Sequence, residues 1–216
     1  AGLCFKMKRI AVTQRVDMIS SHQERRDALD QRWIPFLQRI NLLPILVPNN
    51  IPYVQKLIEN NSIDGVLLTG GNSLVKYGGE APERDAVEIL LIKFAYSKDL
   101  PLLGVCRGMQ MIQDYFNNSL CEVKGHVAKR HSLVVEKGLR ISKFVNRYND
   151  VNSFNKFGSY NVNGDLLPVA HSLDNVVMAI EHKERKIFGV MWHSEREFPF
   201  NKNDQDMFKE IFWGKK

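Results

Sequence analysis

The chemistry readable in this chain gathers around Cys106. The run Pro101-Leu102-Leu103-Gly104-Val105-Cys106-Arg107-Gly108-Met109-Gln110 carries four apolar residues broken by one glycine, then a single thiol, a glycine and helix-forming residues. A nucleophile between a buried strand and a helix is pushed out of the backbone path at a tight turn, the arrangement of a nucleophile elbow. Gly104 and Gly108 flank that turn, where a Cβ would collide with neighbouring backbone. The following helix N-terminus favours the thiolate, the reactive form of cysteine.

A thiol of this kind needs a base. Of the six histidines, His193 has the best context, because it follows the apolar run Ile187–Met191 and opens His193-Ser194-Glu195. Glu195 can accept a hydrogen bond from one imidazole nitrogen and fix the tautomer that leaves the other free. The stretch Leu68-Thr69-Gly70-Gly71-Asn72 offers a glycine pair after a strand. The Gly71 and Arg107 N–H groups would then form a two-donor oxyanion hole. His22, His126, His131, His171 and His182 are read as structural, with His126 the one that could also line a pocket. Cys4 and Cys121 are read as small buried core residues, and Lys129-Arg130-His131 as solvated surface. No cysteine pair has zinc-ligand spacing with histidines nearby, so no metal is expected.

The elements that must position these groups alternate. Arg9–Gln14, Pro44–Pro48, Asp64–Leu68 and Leu102–Val105 read as buried strands. Glu24–Ile40, Val54–Asn60, Glu83–Lys98 and Met109–Tyr115 read as helices, the first kinked or split at Pro35. Strands too apolar to alternate, separated by helices, imply a parallel sheet covered on both faces. Beyond residue 123 the strand-like runs are shorter, clearest at Leu133–Glu136, Val176–Ile180 and Ile187–Met191. The sheet is therefore expected to become mixed toward the C-terminal half, with a closing helix over Gln205–Trp213. Residues 8–216 read as a single domain, and residues 1–7 as an N-terminal extension or an expression remnant.

Composition narrows the class. With 216 residues, 44% hydrophobic and 25% charged, the chain has the profile of an ordinary globular protein. The net charge of +6 comes from scattered basic residues rather than a Lys/Arg run, which argues against nucleic acid as a partner. No apolar run approaches the roughly 18–20 residues that span a bilayer. Three cysteines, an odd number, give no disulfide framework and point to a reducing cytoplasm.

Taken together, the motifs resemble the class I (triad) glutamine amidotransferase superfamily, and within it the γ-glutamyl hydrolase, peptidase C26-like branch. Residues 101–110 match the family's Pro-x-x-Gly-Ile/Val-Cys-x-Gly-x-Gln at every specified position. Gly189-Val190-Met191-Trp192-His193-Ser194-Glu195 matches its C-terminal pattern, with Met191 for the usual Gln and Ser194 for the usual Pro. Glu83-Arg84-Asp85-Ala86-Val87-Glu88 is similar to the Arg-Asp helix start of this branch, and Val151-Asn152-Ser153 to its Val-Asn-Ser segment. The family's histidine-rich stretch is Phe154-Asn155-Lys156 here, and its Gly-Gly after the nucleophile helix is Asn117-Asn118. The leaving-group side of the pocket is therefore expected to differ.

The resemblance implies a flavodoxin-like three-layer α/β sandwich with Cys106, His193 and Glu195 as catalytic triad. It also implies Gly71 and Arg107 as oxyanion donors, and Gly70 and Gln110 as substrate-binding residues. The implied reaction is cofactor-independent hydrolysis of a γ-glutamyl amide through a thioester. The basic charge and altered pocket suit a small-molecule γ-glutamyl-nucleotide amidate, such as the CDP amidate of capsule phosphoramidate synthesis. The alternatives are a glutaminase subunit supplying ammonia to a separate synthase, and a non-catalytic binding module on the same scaffold. A homo-oligomer is a further expectation.

Overall fold

Four-residue runs such as Gly65–Leu68 and Leu102–Val105 leave no polar face, so each must be covered above and below. The structure, a computed structural model that describes residues 7–214, satisfies this with a central sheet between helices. Among the described residues eight strands build it: β1 Lys8–Thr13, β2 Leu42–Val47, β3 Gly65–Leu68, β4 Leu102–Val105, β5 Leu133–Val135, β6 Leu166–Ser172, β7 Val177–His182 and β8 Ile187–Val190. Their spatial order is β2-β1-β3-β4-β8-β7-β6-β5. The first five positions run parallel, and β7, β6 and β5 continue antiparallel. The expected mostly parallel sheet, mixed toward the C-terminal half, is what the chain forms.

The helices are α1 Trp33–Arg39, α2 Ile51–Asn60, α3 Pro82–Lys98, α4 Arg107–Tyr115, α5 Ser142–Val145 and α6 Lys202–Trp213. Two glycines of the β3–α4 region set their sides. A Cβ on Gly65 would meet the Phe212 ring of α6 at 2.8 Å, and one on Gly108 of α4 would meet the Leu68 carbonyl at 2.2 Å. Residues 65 and 68 point to opposite faces of one strand, so α6 and α4 cover opposite sides of the sheet. On the α6 side an aromatic cluster joins Trp33 and Phe36 of α1 to Phe208, with Phe36 and Phe208 ring centroids 4.8 Å apart.

One expected element is wrong. Glu24–Ile40 is not a helix: Glu24–Ala28 pairs antiparallel with Arg15–Ile19 as a hairpin, and only Trp33–Arg39 is helical. The residues Glu24-Arg25-Arg26-Asp27 are surface-exposed, so no apolar stripe existed to hold a helix there. Pro35 falls in the first turn of α1, where the missing N–H has no helical partner to lose. Sequence reasoning also missed β6 and the ribbon formed by Val127–His131 and Val151–Phe154. Both carry polar residues and lack a clean period.

Cys121 does not sit in the core. It is exposed on a two-residue ribbon with Phe157–Gly158, too short to bury a side chain. Cys4 and most of the N-terminal extension lie outside the described residues.

Candidate active site

Strand register brings the two key segments level. Gly104 of β4 pairs with Gly189 of β8, and Val105 with Val190. Cys106 follows directly, its N–H donating to the Val190 carbonyl at 2.8 Å. His193 lies three residues past the end of the adjacent strand. Sequence separation of 87 positions thus collapses at one sheet edge, where open α/β folds gather their sites.

The elbow is built by exclusion. Cys106 adopts φ 53°, ψ −107°, a strained conformation for a side-chain-bearing residue. A Cβ on Gly104 would lie 2.4 Å from the Gly108 carbonyl carbon, and one on Gly189 2.8 Å from Met109 Cγ. Only glycines let α4 settle this closely on β4, β8 and β3, and that close seat holds the turn at Cys106 in place.

His193 is almost completely buried, and its Nδ1 lies 2.7 Å from Glu195 Oε1. The ring and the Cys106 thiol line the same cavity. Burial alone would depress the imidazole pKa. The opposing pull of the Cys106 charge and of the bonded Glu195 carboxylate raises it to about 9. Asn152 fixes the backbone on which this ring stands: its Oδ1 accepts from His193 N–H at 2.8 Å and its Nδ2 donates to His193 C=O at 2.9 Å. Asp204, fully buried, accepts from Trp192 Nε1 at 3.0 Å and Ser194 Oγ at 2.6 Å, gripping the residues on both sides of His193. This gives the Ser194 departure a physical reason, because a proline there would have no hydroxyl to donate.

The glycine loop meets the imidazole directly. A Cβ on Gly70 would come within 2.6 Å of His193 Cε1, so Gly70 makes room for the base. Gly71, at φ +84°, turns toward the cavity that contains Cys106. A buried ionic network ties this loop to the elbow. Arg84 Nη2 donates to the carbonyls of Thr69 at 2.7 Å and Gly70 at 3.0 Å, and Nη1 to that of Gly71. Its Nε reaches Glu88 Oε1 at 3.0 Å, while Arg107 bonds both Glu88 and Asp85. Arg84 and Asp85 are therefore more than helix-terminal charges, whereas Glu83 pairs with Arg25 at the surface. Glu88 stood out in the sequence only as the end of the Glu83–Glu88 segment, with no sign of its bond to Arg107.

A cavity of about 360 Å³ opens over Cys106. Gly71, Arg107, Gln110 and His193 line it, and so do Phe154, Asn155 and Lys156, the residues that depart from the family's histidine-rich stretch. Gln110 Nε2 donates to the Phe157 carbonyl at 2.9 Å. Arg15, Lys156 and Arg196 supply positive charge, and no carboxylate lines this cavity among the described residues. A second cavity of about 250 Å³ lies behind Gly70 and His193, and shares Arg15 and Arg196 with the first. His126 is fully buried and does not line the cavity over Cys106.

A thiol on an elbow, a buried carboxylate-bound imidazole and a glycine loop at one sheet edge define a site able to perform covalent acyl transfer. The chain belongs to the Peptidase C26 family, whose pattern matches residues 9–195. It is 33% identical over 199 residues to a γ-glutamyl-CDP-amidate hydrolase of Campylobacter jejuni, covering 89% of this chain and 92% of that one. It is 26% identical to a subunit of the glutamine-hydrolysing GMP synthase of Methanocaldococcus jannaschii, covering 74% and 78% respectively. Among solved structures, a GMP synthase-like protein from Thermoplasma acidophilum superposes with a TM-score of 0.72 at 21% identity, over 97% of this chain and 94% of that one.

Proposed function

We propose that this protein hydrolyses a γ-glutamyl amide through a Cys106 thioester, with His193 and Glu195 completing the triad. The observation that carries the reading is the elbow cysteine sharing one cavity with a buried imidazole that Glu195 holds at 2.7 Å. Cys106 sulfur attacks the γ-carbonyl carbon, and the oxygen takes the negative charge between the Gly71 and Arg107 N–H groups. His193, as imidazolium, gives its proton to the leaving nitrogen as the C–N bond breaks. The neutral ring then takes a proton from water, which attacks the thioester carbonyl and releases glutamate and the free thiol. Gln110 holds the glutamyl group, and Gly70 keeps the imidazole in its place.

The leaving group we favour is a nucleotide amidate of the γ-glutamyl-CDP-amidate type. The relative of that activity spans nearly the whole chain, and the cavity over Cys106 carries Arg15, Lys156 and Arg196 with no carboxylate among the described lining residues. That lining suits a pyrophosphate better than a polyamine. The second reading, a glutaminase subunit passing ammonia to a separate synthase, draws on the Methanocaldococcus relative.

Glutamate release from glutamine, a γ-glutamyl polyamine and γ-glutamyl-CDP-amidate separates them. The favoured reading expects turnover of the CDP-amidate by the isolated chain, with Cys106→Ala reducing it by several orders of magnitude. Full activity in that variant would end the triad assignment. Glutaminase activity that appears only with a partner protein would select the second reading.

A further inference from the structure

Outside the catalytic cavity, His126, His131 and Asp174 bring one ligand atom each to within 4.8 Å of one another. His126 is fully buried, and its ring stacks on that of His131 with centroids 4.0 Å apart. The hydrogen bonds around these side chains decide where the protons sit. Ser153 Oγ donates its single proton toward an oxygen, the His126 carbonyl or Asn155 Oδ1, both at 2.8 Å. Its lone pairs are therefore free to accept from His126 Nδ1 at 3.3 Å. His126 Nε2 lies 3.0 Å from Asp174 Oδ2, a hydrogen-bonded pair whose proton a bound cation would displace.

His131 Nε2, on the ring stacked against His126, is shut off from solvent without any hydrogen-bond partner. Asp174 Oδ1 is meanwhile held by the Ser172 hydroxyl. Two imidazole nitrogens and a carboxylate oxygen converge, with Ser153 behind His126 and Ser172 behind Asp174. Metal-ligating histidines are held in this way, with the far ring nitrogen donating to a carbonyl or side-chain oxygen.

We propose that His126, His131 and Asp174 form a structural site for a divalent cation of the zinc type, with water as the fourth ligand. Ligation turns the stacked rings so that both Nε2 atoms face the ion. The site would tie the ribbon of Val127–His131 and Val151–Phe154 to the turn between β6 and β7. That ribbon carries Asn152, which clamps the His193 backbone, and ends at Phe154 on the cavity wall.

The test is Zn2+ titration by calorimetry in the Cys106→Ala background, so that the catalytic thiol cannot serve as ligand. Co2+ absorption reports ligand type, because sulfur ligation adds a near-ultraviolet charge-transfer band that nitrogen and oxygen do not. The proposal expects one equivalent bound at micromolar affinity or tighter, d–d bands without the sulfur band, and a thermal midpoint raised by several degrees. Both His131→Ala and Asp174→Asn should weaken binding by at least roughly tenfold. Asp174 is half exposed, so its variant folds even where the histidine variant does not. Unchanged binding in Asp174→Asn, a sulfur band, or no binding at all would overturn the site and leave His126 and Asp174 as a plain hydrogen-bonded pair.

Discussion

His193 sets the pH window of the proposed reaction. An imidazole held to about 9 by Cys106 and Glu195 against the cost of burial stands protonated at neutral pH, ready to protonate a leaving nitrogen. The free-enzyme rate constant kcat/KM should therefore fall as pH rises through about 9. Glu195→Gln removes one of the groups that raise the imidazole pKa and the acceptor that orients the ring. Its descending limb should move to lower pH, with kcat reduced roughly 10²–10⁴-fold. An unmoved limb in that variant would show that Glu195 does not act through the imidazole. Cys106, His193 and Glu195 were legible because each sits in a short motif whose spacing reflects local geometry. Asp204 was not, since it reaches Trp192 and Ser194 from 12 and 10 positions away and nothing in its neighbourhood marks it; Asn152 stood out only as part of Val151-Asn152-Ser153, with no sign that it grips His193 from 41 positions away.

At the scale of elements, the elbow and its ionic tie are separate devices. Gly108→Ala places a methyl 2.2 Å from the Leu68 carbonyl, a backbone atom that cannot move aside cheaply. Urea denaturation should find that variant destabilised by about 3 kcal/mol. Stability within 0.5 kcal/mol of the parent would mean that α4 can slide off β3 after all. The Arg84–Glu88–Arg107 network holds the two segments that carry the proposed oxyanion donors. Glu88→Ala leaves two buried guanidinium groups short of a partner, at a cost of about 3–5 kcal/mol, and kcat should fall more than KM rises. The parallel strands, α3 and α4 could be read from apolar runs of the right length. The hairpin at Arg15–Ala28 could not, because Ala28, Trp33 and Phe36 mimic helical spacing while the exposed Glu24–Asp27 just before them pair as a strand. β6 escaped for a related reason: Pro168, His171 and Ser172 interrupt its apolar character, and its place in the sheet is set by β7 and β5.

For the whole molecule, two buried groups with raised pKa values make folding favour the protonated form. Asp204 is pushed by burial from its ordinary 3.8 to about 6. The folded state therefore holds that proton more tightly than the unfolded chain. Its contribution to stability is fully present below about pH 4 and is lost as pH rises to about 6, a change of about 3 kcal/mol. His193 works over a later window, its contribution complete below 6.5 and lost as pH passes about 9. Ion pairs with lowered carboxylates, such as Asp30 beside Arg32, act in the opposite sense and blur the total. Subtracting a variant isolates the first step. The unfolding free energy of the parent minus that of Asp204→Asn should fall by about 3 kcal/mol between about pH 3 and 7 and stay level above that. The His193 contribution cancels in the difference because that residue is present in both. A flat difference across the acid range would mean that Asp204 is already ionised at pH 4, its three donors from Tyr148, Trp192 and Ser194 outweighing the cost of burying its charge.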